Sequence, residues 1–282
     1  MRAEIWIIIP QLPYGAVEGD FMQGFKENEL VYDENSIVSL AVMSVLGDRA
    51  EQQDCFGYLL DEKSGIVTVC DGMGGLEGGR LASSVAVQCY LDHLRDIISG
   101  DISRNLSAAT KEANKRVFSL KNEGINGGST AVTVVVNENE LFWSSVGDSR
   151  AYLFRSGAYA QITQDHNYKL VLDEKVKAGL IGEEEYQQDM VRGEALICHL
   201  GLESVDLVDY NSAPFILSSG DIIVVMTDGL YKILSDEEIF TVINNFNDIS
   251  EALSALEMKA AKTAKESFLS RDNMTVALIK IK

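Results

Sequence analysis

Residues 66–82 read IVTVCDGMGGLEGGRLA. An apolar, β-branched run ends on a carboxylate, Asp71, and a glycine-rich turn follows. Beyond it Ala82, Ala86, Cys89, Leu94 and Ile97 recur at steps of about three and four, which predicts an amphipathic helix. An Asp-Gly pair alone is ordinary turn chemistry. The arrangement recurs, however, at residues 224–229 (VVMTDG) and 143–150 (WSSVGDSR), and Asp272 stands just before a further strand at 271–279 (RDNMTVALI). A strand end fixes the position of the residue beyond it. Several strands of one sandwich can therefore aim Asp71, Asp148, Asp228 and Asp272 at a single rim.

Working outward, residues 36–46, 55–60 and 66–70 read as short strands separated by Gly, Asp and Lys-Ser-Gly turns. Leu106, Ala109, Ala113, Val117 and Leu120 mark a second helix, ended by the glycines at 124–128. Strands follow at 130–137, 140–146, 150–155, 159–163, 205–210 and 221–226. Ser235 and Glu238 fit a capping box opening a helix to about residue 244. An apolar stripe from Ile249 to Phe268 predicts a long helix, and 274–281 closes the chain as a strand. Strands in runs and helices in pairs give an α+β pattern, not alternating βαβ units. Residues 1–35 read as an N-terminal extension, 36–282 as one domain, and the charged stretch at about 166–195 as a surface excursion.

The net charge of −19 repels a phosphate-coated polymer and argues against nucleic-acid binding. The four cysteines form no CxxC pair and read as buried free thiols of a reducing compartment. The early apolar run at 5–9 is too short for a signal core or a membrane span, so the expectation is a cytoplasmic protein away from membranes.

Clustered carboxylates repel one another unless a cation lies among them. An all-oxygen set without histidine suits hard ions such as Mg²⁺ or Mn²⁺. Of the three histidines, His93 and His199 read as packing residues, and His166 as a residue that fixes the start of the excursion.

Five segments in order carry a resemblance: GDRAEQQD at 47–54, DGMGG at 71–75 with Ala82-Ser83, GST at 128–130 with VGDSR at 146–150, TDGL at 227–230, and DNMT at 272–275. TQDH at 163–166 fits the same order. Together they resemble the metal-dependent protein serine/threonine phosphatases of the type 2C family, in particular the bacterial branch. The resemblance implies an α-β-β-α sandwich, two antiparallel sheets flanked by helix pairs, with residues 166–195 as a flap that His166 begins. It implies hydrolysis of phosphoserine and phosphothreonine on proteins by a metal-bridging hydroxide, with two Mn²⁺ or Mg²⁺ ions bound tightly and a third more weakly. Asp71 would bridge two metals, the Gly72 carbonyl would bind one, and Asp228 and Asp272 would hold the other. Asp148, with Asp228, would take the third. Arg49 would grip the substrate phosphate, and Asp54 would support the cluster from behind; the places of Gln53 and Asn273 beside it stay open. The implied partners are phosphorylated proteins and a serine/threonine kinase acting opposite a monomeric phosphatase.

Two residues depart from the common pattern. Gln53 stands where many members carry a metal-binding Glu, which removes one negative charge, and Met73 stands where animal members have a histidine. A catalytically weak or inactive relative, acting as a metal-tuned regulatory module, is the alternative that Gln53 supports. A phosphatase of small phosphomonoesters is another alternative. A dinucleotide site fails, because the third glycine of GxGxxG would fall on Glu77.

Overall fold

The alternating strands form two antiparallel sheets in the computed structural model, which describes residues 5–8, 28–75, 77–95 and 100–282. In chain order the elements are β1 (Ile5–Ile8), β2 (Asn28–Glu34), β3 (Val38–Val45), β4 (Asp54–Asp61), β5 (Ser64–Met73), α1 (Gly78–Leu94), α2 (Ile102–Ser119), β6 (Gly128–Ser129), β7 (Ala131–Asn137), β8 (Glu140–Val146), β9 (Arg150–Arg155) and β10 (Ala158–Gln161). They continue with α3 (Tyr168–Lys177), α4 (Glu183–Asp189), β11 (Asp209–Tyr210), β12 (Phe215–Ile216), β13 (Ile222–Met226), α5 (Asp228–Tyr231), α6 (Asp236–Asn244), α7 (Ile249–Ser267) and β14 (Met274–Ile281). One sheet runs β1-β4-β5-β7-β8-β11, with β12 also beside β8 and β6 beside β5; the other runs β10-β9-β13-β14-β3-β2.

The side-chain period of two sorts each strand between layers. Ile66 and Cys70 of β5 pack with Ala82, Ala86, Leu106 and Ala113 of α1 and α2. Val67 and Val69 of the same strand meet Leu40, Val225 and Ile279 of the other sheet. On that sheet's far side Val224, Met226, Val276 and Leu278 pack under Ile239, Leu253 and Leu256 of α6 and α7. The order is thus α-β-β-α. Burial on both faces explains why β13, IIVVM, reads as an unbroken apolar run. Ser235 opens α6 with both bonds of the capping box, as its sequence predicts.

The structure differs from the sequence reading at the edges. The strand expected at 205–210 is only the two residues of β11, because β8 divides its free edge between β11 at Ser144–Ser145 and β12 at Glu140–Leu141. Of the segment read as an extension, β1 pairs with β4 and β2 pairs along its whole length with β3, so both are edge strands of the sheets. The rest of that segment, and Ile97 on the first helical stripe, lie outside the described residues. All four cysteines are free and buried. Among the described residues no helix is long and apolar enough to cross a membrane.

Strand register brings the acidic turns together. Asp54 at the start of β4 is the cross-strand partner of Asp71 near the end of β5. Met226 at the end of β13 pairs with Arg150 of β9 on one side and Val276 of β14 on the other. The turns that carry Asp148, Asp228 and Asp272 therefore open at the same end of the sandwich.

Candidate active site

Asp71 lies half-buried in the middle of this rim. Its main chain is clamped by the GST segment: its N–H donates to Thr130 Oγ1 (3.0 Å), and its carbonyl accepts from the Thr130 N–H (2.8 Å) and Ser129 Oγ (3.1 Å). Thr130 Oγ1 also bonds Ser149 of the GDSR segment at 2.7 Å. Two motifs whose bonded residues lie 19 apart in the chain are thus tied through one hydroxyl. Burial, and then the charges of Asp54, Asp228, Asp148 and Asp272, push the Asp71 carboxyl well above the ordinary carboxylate range.

Asp54 is 1% exposed. Its Oδ2 accepts from Thr227 Oγ1 at 2.8 Å, and its Oδ1 has no hydrogen-bond partner. Burial raises its pKa to about 7, against the opposing effect of the Thr227 bond. Gln53 ties the glycine turn to its neighbours. Its amide donates to the Gly74 carbonyl (3.3 Å), and its main-chain carbonyl accepts from Gly72 (3.1 Å) and Ser83 Oγ (2.6 Å), latching the glycine turn to α1. Asn273 is a second latch: its Oδ1 accepts from the Gln53 N–H and its Nδ2 donates to the Leu46 carbonyl. Gly72 owes its identity to this packing. A Cβ there would lie 2.1 Å from the Gly79 carbonyl oxygen and 2.5 Å from that of Gln53.

Among the described residues, two cations reach the carboxylates. The Arg49 guanidinium, exposed in its loop, pairs with Asp272 Oδ2, a contact that with burial working against it raises the Arg49 pKa further. Lys232 sits one turn beyond Asp228 and its ammonium bonds Asp228 Oδ2. The sequence reading missed Lys232; the four-residue spacing from Asp228 is the signal that could have found it. It also missed the hydroxyl of Thr227.

Asp148 is buried at 4% exposure, and its pKa is pushed up to about 6 by burial and by Asp228. Its turn is braced from two sides. Gly147 donates to His166 Nδ1 (3.1 Å) and accepts from the His166 N–H (2.9 Å). Tyr231 donates to the Asp148 carbonyl (3.1 Å), and the Arg150 guanidinium lies 3.6 Å over the Tyr231 ring while holding Asp165 with both of its prongs. His166 accepts at Nδ1, so its proton sits on Nε2, and burial lowers its pKa. His166 thus ties the start of the excursion to the acidic rim. His199 bonds the neighbouring Leu200 carbonyl and His93 is half-buried on α1, both away from the carboxylates' hydrogen bonds.

Among the described residues, no three acidic, histidine or cysteine side chains stand close enough together to enclose one metal ion as they are, with Lys232 on Asp228 and Arg49 on Asp272. The donor set still fits hard divalent cations. Asp54 Oδ1 is buried without a donor, and Asp71 is surrounded by four carboxylates whose repulsion a cation relieves.

The profile of the protein phosphatase 2C family matches residues 41–174. A Listeria innocua protein named serine/threonine phosphatase stp is 28% identical over 225 residues, covering 77% of this chain and 85% of its own. The structure of the Streptococcus agalactiae serine/threonine phosphatase superposes with a TM-score of 0.71 at 24% identity, covering 87% of this chain and all of that one. The catalytic domain of the serine/threonine phosphatase PstP, solved in complex with two manganese ions, gives a TM-score of 0.67 at 25% identity over 87% of this chain and 98% of its own. In its five motifs in order and their meeting at one rim, this chain is similar to the protein phosphatase 2C family, whose profile it matches over residues 41–174.

Proposed function

We propose that this chain hydrolyses phosphoserine and phosphothreonine on proteins, with Mn²⁺ or Mg²⁺ as cofactor. The observation that carries the reading is the meeting of five carboxylates, Asp54, Asp71, Asp148, Asp228 and Asp272, with the Arg49 guanidinium at one end of the sandwich. Asp71, the Gly72 carbonyl, Asp228, Asp272 and Asp148 would hold the metal ions. Bound there, divalent cations lower the pKa of water and neutralise the oxygens of a phosphoryl group.

The chain's own residues supply the rest. Arg49 offers a planar, two-pronged donor matched to a phosphate, and its exposed position lets it exchange Asp272 for a substrate. Asp54, held by Thr227, would carry its negative charge behind Asp71 once cations lie in front of it. Met73 has no proton to give, so this chain assigns no side chain to protonating the leaving group. The flap, with Leu180 and Val191 exposed, is the surface that would meet the peptide around the phosphorylated residue. Its partners on this reading are phosphoproteins and the serine/threonine kinase that makes them, and the phosphatase works as a monomer.

The test is turnover of a phosphothreonine peptide and of p-nitrophenyl phosphate with Mn²⁺, with Mg²⁺ and with EDTA. Activity with either metal, lost in EDTA, is expected. Activity that survives EDTA, or none with either metal, sinks the reading.

A further inference from the structure

The one-turn helix α5 follows directly from β13 and carries Lys232 back over Asp228. The ammonium bonds Asp228 Oδ2, and the same charge acts on Asp148 and Asp71. The Lys232 side chain is 46% exposed, so solvent is open to it, and the carboxylates draw its charge inward. Asp148 and Asp228 are the pair to which the sequence resemblance assigns the third, weaker metal ion.

We propose that the Lys232 ammonium takes the place of that third ion beside Asp148 and Asp228, so that this site holds two divalent ions and one cation built into the chain. The inference rests on the phosphatase reading of the site. Its physical basis is competition. A tethered group presents an effective concentration of about a millimolar or more, enough to exclude an ion that binds weakly. A unit charge on a ligand oxygen also weakens a divalent cation at that oxygen by about tenfold or more. An ammonium cannot carry a water molecule to be deprotonated, so the third position here balances charge and does no hydrolytic chemistry.

The experiment counts metal. Wild-type chain, Lys232→Met and Lys232→Arg are dialysed against rising Mn²⁺, and bound metal per chain is measured by elemental analysis. Thermal melts accompany the measurement; because Lys232 is half-exposed, all three chains are expected to fold. Two Mn²⁺ in the wild type and in Lys232→Arg, with a third entering Lys232→Met, is the expected result. Adding Asp148→Asn to Lys232→Met should abolish that third ion. A wild-type chain that takes up a third Mn²⁺ with the same affinity as Lys232→Met overturns the inference and leaves the phosphatase reading standing. A wild-type chain that binds no Mn²⁺ overturns both.

Discussion

The hydroxyl of Thr227 donates to Asp54 Oδ2 across 2.8 Å, joining the end of a strand in one sheet to the start of a strand in the other. The same oxygen accepts from the Thr275 N–H at 2.9 Å. One hydroxyl therefore fixes the rim from both sheets and leaves Asp54 Oδ1 free of donors. Thr227→Val keeps the shape and removes the hydroxyl. A buried carboxyl acceptor and a buried N–H then lose their partner, which costs about 1–3 kcal/mol each. A urea melt of the metal-free chain should show a lower midpoint with an unchanged slope; an unchanged midpoint would mean that water replaces the hydroxyl.

The raised carboxyls make the metal-free protein's stability depend on pH in a stated direction. Asp54 titrates at about 7 and Asp148 at about 6 in the folded chain, above the ordinary carboxylate value of about 4. Between these values the folded state binds more protons than the unfolded one, so stability falls as pH rises. In EDTA the unfolding free energy should be highest near pH 4–5 and decline through pH 7, with the raised Asp71 carboxyl adding to the fall. Asp54→Asn should flatten the upper part of that decline. Mn²⁺ binds the deprotonated groups and should restore stability above pH 7. A metal-free profile that rises over this window contradicts the assignment.

Much of this rim was readable because strands point their ends. Asp71, Asp148 and Asp228 each follow an apolar run and Asp272 precedes one, and a sandwich can only place such residues at its two ends. Antiparallel register then chose the same end for all four. What was not readable depends on contacts between segments far apart in the chain. Nothing in residues 47–54 says that Gln53 turns its amide toward Gly74, or that Asn273 holds its backbone from 220 residues away. Lys232 needed the short helix α5, and a four-residue helix leaves too little periodicity to detect. The short strands β6, β11 and β12 form because β5 and β8 have free edge there, which is a tertiary fact and not a local preference.

Arg49 separates substrate grip from metal support. A charge-assisted hydrogen bond contributes about 1.5–3 kcal/mol, so Arg49→Ala should lower kcat/KM about 10- to 100-fold. If Arg49 holds the phosphate equally in ground and transition states, the loss appears in KM. If it holds the transition state more tightly, the loss appears in kcat. Mn²⁺ affinity should change little or rise, since Asp272 loses a competing cation. Weaker Mn²⁺ binding would instead show that Arg49 positions Asp272.

Gly229 is the tightest point of the rim. A Cβ on it would lie 2.0 Å from the Asn273 carbonyl oxygen, a backbone atom that cannot swing aside. Gly229→Ala should therefore push the Asp228 turn off the Asp272–Asn273 turn, with a stability loss of about 2 kcal/mol or more. Metal affinity should fall with it. Gly157→Ala serves as the control: open space surrounds that residue, and its positive φ makes the strain local. Equal metal affinity in the two variants would mean that the two turns move independently.

His166 accepts from the Gly147 N–H and donates its own N–H back to the Gly147 carbonyl, one residue before Asp148. Its ring is nearly enclosed, at 2% exposure, so His166→Ala leaves a cavity and an unpaired buried N–H. Loss of about 2–4 kcal/mol of stability follows from those two terms. His166→Asn offers a carbonyl oxygen near the Nδ1 position and should recover part of the bond. If His166 positions Asp148, the alanine variant should also lose more activity than its stability loss explains, measured well below its melting temperature, and the asparagine variant should regain it. If activity follows stability alone in both variants, the histidine serves packing and the turn at Asp148 is held by Tyr231 and the ladder of β9 without it.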